Sequence, residues 1–185
     1  LYTSNNRALV SGPGSVWRNP AGGLAVGYYG ASNSLAIASS GTVYCVGVSV
    51  GPNGSSYNSV LVSDPGSVLS NSTGMIVGSR SGPGTSTGNS LTITNGGVVL
   101  NSDCYLGYNN ATNSTVLVTG SGSVWSNSLT LYLGEMSAGN SLTIASGGTV
   151  YCGSCLVGDS YPDPFTPAFG DANTVLVSGP GSVWS

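Results

Sequence analysis

The stretch "LVSGPGSVW" runs from Leu9 to Trp17 and returns, letter for letter, from Leu176 to Trp184. Near-copies stand between them: "LVSDPGSVL" from Leu61 to Leu69 and "LVTGSGSVW" from Leu117 to Trp125. Self-similarity at a regular spacing is the mark of a repeat architecture. Aligned on the valine of "SVW", further copies fall into frame at Val16, Val43, Val68, Val99, Val124, Val150 and Val183. Eight residues before each valine stand Ala8, Leu35, Val60, Leu91, Val116, Leu142 and Val175. Six before stand Val10, Ile37, Val62, Ile93, Val118, Ile144 and Val177, and in this frame no block needs a gap. Each block therefore reads as a short strand, a tight Gly/Pro turn and a second strand. A phosphate-cradling reading of GxG requires a following helix, and none follows.

A third apolar stretch closes each of the first six blocks, ending in an aliphatic residue and glycine: Val26, Val50, Val77, Leu106, Leu133 and Val157, each before Gly. Two residues earlier come Leu24, Val48, Met75, Cys104, Leu131 and Cys155, so both columns lie on one face of a strand. The step from block valine to third-strand aliphatic is 10, 7, 9, 7, 9 and 7 residues, so long and short coils alternate. One such coil cannot bury its apolar face alone, whereas stacked coils share a core and pair their strands in parallel. The expected fold is all-β: a single-chain parallel β-helix, or solenoid, with three short strands per coil and six to seven coils. The crossover rule makes it right-handed. Residues 1–185 read as one domain, with two-coil repeats at about 6–57, 58–112 and 113–172 and a partial one at 173–185. Insertions gather after the third strand, in "GSRSGPGTSTGN" and "GDSYPDPFTPAFGDAN", which marks one variable corner.

Composition narrows the function. Charged residues make up only 5% of the chain, with three Arg, six acids and no His, so no basic patch for nucleic acid or anionic lipid can form. No apolar run approaches the length of a membrane span, and the opening "LYTSNN" reads as a mature chain or a fragment. So uncharged a surface suits secreted or assembled material, extracellular or at a cell surface, better than a free cytosolic monomer.

The segments "VLVSGPGSVWSN" and "NSLTIASGGTV" and the "LxVG" strand ends resemble the repeats of autotransporter passengers and of proteins carrying the PEP-CTERM-associated repeat. The resemblance covers essentially the whole chain. It implies a bacterial, secreted or surface-displayed β-solenoid, structural or adhesive, and carries over no catalytic residue.

Several columns invite a functional reading. Asn6, Asn33, Asn58, Asn89, Asn140 and Asn173 stand two residues before the blocks, with Asn113 displaced by one. Stacked amides can hydrogen-bond along a rod, so these form a structural ladder unless they are ordinary turn residues. After each block valine come Trp17, Tyr44, Leu69, Leu100, Trp125, Tyr151 and Trp184. With the valines inward this column points outward, as an aromatic stripe that its own loops cover, that packs against a neighbouring rod, or that stacks on surface glycans. Of the cysteines only Cys152 and Cys155 are near enough to pair; Cys104 and Cys155 lie two coils apart, beyond disulfide reach.

Catalysis has little to work with. Ser-His and Ser-Lys systems lack their base. Glu135 and Asp159 follow the third-strand glycines of successive coils, about 5 Å apart, with Asp163 beside them. The first expectation is solvated surface acids, the second a calcium site, the last a glycosidase pair. The leading reading is a non-enzymatic structural rod, self-associating into a filament or stalk by end-to-end strand stacking, with no cofactor unless calcium. A glycan-binding adhesin is the alternative, and a glycoside-cleaving enzyme the remote one.

Overall fold

The computed structural model describes residues 3–80, 84–158 and 172–185. Every regular element in them is a strand, and the strands stack as a parallel β-solenoid of about six turns.

The first strands of successive coils form one seven-stranded sheet: β1 (Arg7–Ser11), β4 (Ser34–Ala38), β7 (Ser59–Ser63), β10 (Ser90–Thr94), β13 (Thr115–Thr119), β15 (Ser141–Ala145) and β17 (Thr174–Ser178). Its register joins Ala8, Leu35 and Val60, and then Leu91, Val116, Leu142 and Val175, as the block spacing predicts. The second strands are β2 (Val16–Asn19), β5 (Thr42–Cys45), β8 (Val68–Asn71) and β11 (Val98–Asn101). The third are β3 (Leu24–Val26), β6 (Val48–Val50), β9 (Met75–Ser79) and β12 (Cys104–Tyr108). In the fifth and sixth coils the two merge into continuous strands, β14 (Val124–Glu135) and β16 (Thr149–Val157), which tie both faces into one sheet; β18 (Val183–Trp184) pairs with β16.

The gapless frame fails at the turn between first and second strands. That turn holds four residues in odd coils, as at 12–15 and 120–123, and three in even coils, as at 39–41 and 95–97. The second strands consequently pair Trp17 with Val43 with Leu69, and Val99 with Trp125 with Val150 with Trp184. In the short turns the final glycine is a steric requirement. A Cβ on Gly41, Gly97 or Gly148 would overlap the carbonyl oxygen of Val10, Val62 or Val118 in the preceding coil. In the long turns a serine takes that place and serves as a link. Ser123 Oγ donates to Thr119 O (2.7 Å) and accepts the N–H of Gly96 from the coil below (3.0 Å).

Strand alternation then fills the interior. Ile37, Val62, Ile93, Val118 and Ile144 come from the first strands, and Val50, Val77 and Leu106 from the third, all fully buried. Bulky and small side chains alternate along the second strands, Leu69, Val99, Trp125, Val150, which lets successive coils interdigitate at even spacing.

Candidate functional site

Two columns of amides run inside the rod. In the first, Asn6 Nδ2 donates to Asn33 Oδ1 (2.8 Å), Asn33 Nδ2 to Asn58 Oδ1 (3.1 Å) and Asn58 Nδ2 to Asn89 Oδ1 (3.1 Å). The same oxygens accept the backbone N–H of the preceding asparagine, as Asn58 N to Asn89 Oδ1 at 2.9 Å, so each amide locks main chain as well as side chain. Asn140 Nδ2 and Asn173 Oδ1 repeat the contact at 3.0 Å. The side chains lie against Gly27, Gly51, Gly107 and Gly134, where a Cβ would collide with the amides of Asn58, Asn89, Asn140 and Asn173. The recurrent asparagine and the recurrent third-strand glycine are therefore two halves of one device. Asn113 does not take part: Ser114 fills the ladder position, donating its N–H to Asn140 Oδ1 (2.9 Å) while its buried Oγ has no partner.

The second column was not anticipated. Asn19 pairs in register with Cys45 and Cys45 with Asn71; Asn101 pairs with Asn127 and Asn127 with Cys152. Asn101 Nδ2 donates to Asn127 Oδ1 (2.6 Å), and Asn101 Oδ1 accepts the indole N–H of Trp125 (2.9 Å). In the last coil the Trp184 indole N–H points at Cys152 Sγ instead (3.2 Å).

The single aromatic stripe is not there. Because odd turns are one residue longer, Trp17, Leu69, Trp125 and Trp184 face inward, whereas Tyr44, Leu100 and Tyr151 face outward. Trp125 is completely buried, so it can touch neither a sugar nor a neighbouring rod. Tyr151 is exposed, and Tyr44 lies under the Arg18 guanidinium, 4.6 Å from the ring centre. A different aromatic group stands on the outer face of the third strands. The rings of Tyr105 and Tyr132 stack in parallel, 4.6 Å apart, and Tyr108 leans on Tyr105 at 5.1 Å. Partial burial, followed by the charge of Glu135, raises the Tyr105 phenol above its ordinary value.

Cys152 and Cys155 are joined by a disulfide, with their Cα atoms 6.2 Å apart. Cys45 and Cys104 are buried thiols, and burial pushes both above the ordinary thiol range. Glu135 ends β14 opposite Tyr108, while Asp159 and Asp163 lie outside the described residues, so the carboxylate grouping is placed at Glu135 alone. Among the described residues no three His, Cys, Asp or Glu side chains gather as a metal would need.

The coils at either end are built like the others but lack a neighbour on one side among the described residues. Trp17 is 39% exposed where its column partner Val43 is 1%, and Val177 is 43% exposed where Ile144 is 0%. At the first coil the apolar interior opens as a cavity of about 420 Å³ lined by Ala8, Trp17, Leu24 and Val26. These faces carry unpaired strand edges beside exposed core, a template for adding another coil. Comparison with known proteins finds no family model, no curated protein and no solved structure that matches the chain.

Proposed function

We propose that the chain is a structural, extracellular β-solenoid: a subunit or segment of a bacterial surface filament or stalk that continues by coil-on-coil strand stacking at its ends. The observation that carries this reading is the exposure of inner-column residues, Trp17 at one end and Val177 at the other, beside strand edges with nothing paired to them among the described residues. The coil that would cover either face can come from the same polypeptide or from another copy. A surface poor in charge supports close lateral and axial packing, and the repeat pattern resembles that of exported bacterial solenoids. On this reading the interior amide columns serve rigidity rather than chemistry, and the chain is not an enzyme.

Electron microscopy of the purified chain across a concentration series tests it. Rods of constant width that lengthen with concentration would establish end-to-end stacking of copies. Particles of constant length that also fail to extend when a second copy of the two-coil unit 58–112 is appended in register would overturn the proposal.

A further inference from the structure

We propose that the outer face of the third strands in the first three coils is a binding trough for a neutral glycan chain. This inference is independent of how the rod assembles.

The floor of the trough is unusually bare, and the fold does not require it to be. Just before the third strands, Gly23, Gly47 and Gly74 stand in one column, linked by Leu24 N to Gly47 O (2.8 Å) and Val48 N to Gly74 O (3.1 Å). None of the three has the left-handed backbone that favours glycine. A Cβ at Gly23 would meet the Gly47 carbonyl oxygen at 3.4 Å, one at Gly74 the Asp103 carbonyl oxygen at 3.3 Å, and one at Gly47 the Thr73 hydroxyl at 3.0 Å and the Gly74 carbonyl oxygen at 3.3 Å. The later coils supply an internal control. The same column continues as Asp103, Thr130 and Ser154, so side chains are accommodated there without disturbing the solenoid. At the glycines of the amide column and of the short turns a Cβ would overlap its neighbour outright, whereas at these three it would be tight and the neighbouring coil would have to give by a few tenths of an ångström. What these three do is keep a strip of backbone uncovered, flanked on the outer face by Ala25, Ser49 and Ile76 and bordered on its other side by Val46 and Thr73.

The ends of the strip are aromatic. Tyr105 walls it at the fourth coil, held upright by its parallel stack on Tyr132, and Tyr28 stands at the first coil, edge-on to Tyr29 with ring centres 4.7 Å apart. From Gly23 to Asp103 is three coil steps, about 14 Å at the usual strand spacing, the length of a short oligosaccharide.

Its chemistry selects a sugar. Pyranose rings present an apolar face of C–H groups, which stack on tyrosine, and a rim of hydroxyls. Asp103 stands at the wall with Oδ1 accepting the Thr130 N–H (3.0 Å), leaving its second oxygen to take a sugar hydroxyl, and Thr73 borders the opposite side. No cation lines the trough among the described residues, so a uronate, sulfated or phosphorylated chain would meet the Asp103 carboxylate uncompensated. A peptide strand cannot add here either, because the floor amides are already paired from coil to coil.

Calorimetric titration of the purified chain with cellohexaose, chitohexaose and polygalacturonate tests the proposal. At least one neutral hexasaccharide should bind saturably and polygalacturonate should not. Gly74→Thr, which copies the residue found two coils on, and Tyr105→Ala should each weaken binding tenfold or more, while Tyr151→Ala on the other outer face should leave it unchanged. Absence of hexasaccharide binding, equal binding of polygalacturonate, or wild-type affinity in Gly74→Thr would overturn it.

Discussion

Asn101 shows how much one side chain carries in a rod of this kind. It receives the Trp125 indole N–H (2.9 Å) and donates to Asn127 Oδ1 (2.6 Å) inside the core, and it donates as well to the Asp103 carbonyl (2.9 Å), which is only partly buried. Replacing it with Ala strands a buried indole donor, for which the expected cost is about 1–3 kcal/mol. A lower urea midpoint in Asn101→Ala, partly recovered when Trp125→Phe removes the orphaned donor as well, would confirm the linkage; equal losses in single and double variants would refute it. Cys104 offers a second test, through pH. Burial first, and the adjacent Asp103 charge second, hold its folded thiol above the ordinary thiol value of about 9. The folded state therefore keeps a proton that the unfolded chain releases, and the contribution is intact below about pH 9 and lost as pH rises further. Urea midpoints at pH 8 and pH 10.5 should fall more steeply for the wild type than for Cys104→Val.

Among the elements, the turn between first and second strands decides the most. Gly97 ends a short turn, and a Cβ there would overlap Val62 O in the coil below; Ser123 ends a long one and makes two hydrogen bonds. Gly97→Ala must push backbone against backbone, whereas Ser123→Ala forfeits side-chain hydrogen bonds worth about 1 kcal/mol each. The glycine variant should show the larger loss of thermal midpoint, and the reverse order would mean that the short turn is slack. The same turn explains which parts of the molecule were legible in the sequence. First and third strands could be read directly, because their apolar period of two runs on without a change of length, and so could the asparagine ladder fixed to the first strand. Past the turn, an alternation of three and four residues shifts every other coil by one, which exchanges the two faces of a strand. Aligning on valine thus gathered Trp125, which is buried, with Tyr151, which is exposed, and concealed Asn101 and Asn127 by spreading them over two offsets. The bare strip at Gly23, Gly47 and Gly74 was illegible for another reason. Among 30 glycines these three read as punctuation until the structure shows that none of them has the left-handed backbone of a turn glycine.

For the molecule as a whole, stability in a solenoid is close to a sum over neighbouring coils, so the weakest interface sets where the rod opens. The first amide column has one gap, at the fifth coil. There Ser114 replaces the ladder asparagine, and Ala111 replaces the serine that stands three residues earlier in the neighbouring coils, Ser86 and Ser137. Those serines receive the ladder amides, Asn89 Nδ2 to Ser86 Oγ at 3.0 Å and Asn140 Nδ2 to Ser137 Oγ at 2.8 Å. Space for the missing amide exists, because Gly78 faces Ser114 in the same left-handed conformation with which Gly51 and Gly107 face Asn89 and Asn140. The double substitution Ala111→Ser and Ser114→Asn should join the two halves of the column from Asn6 to Asn173. Two recovered hydrogen bonds at about 1 kcal/mol each would raise the thermal midpoint of a chain this size by about 4–8 °C. Ser114→Asn alone should gain less, since its Nδ2 would lack the serine acceptor. Amide exchange should also slow around β13, which follows the gap, and around its neighbours β10 and β15, and change little at β1 and β4. A double variant no more stable than the wild type would show that the gap costs the rod nothing.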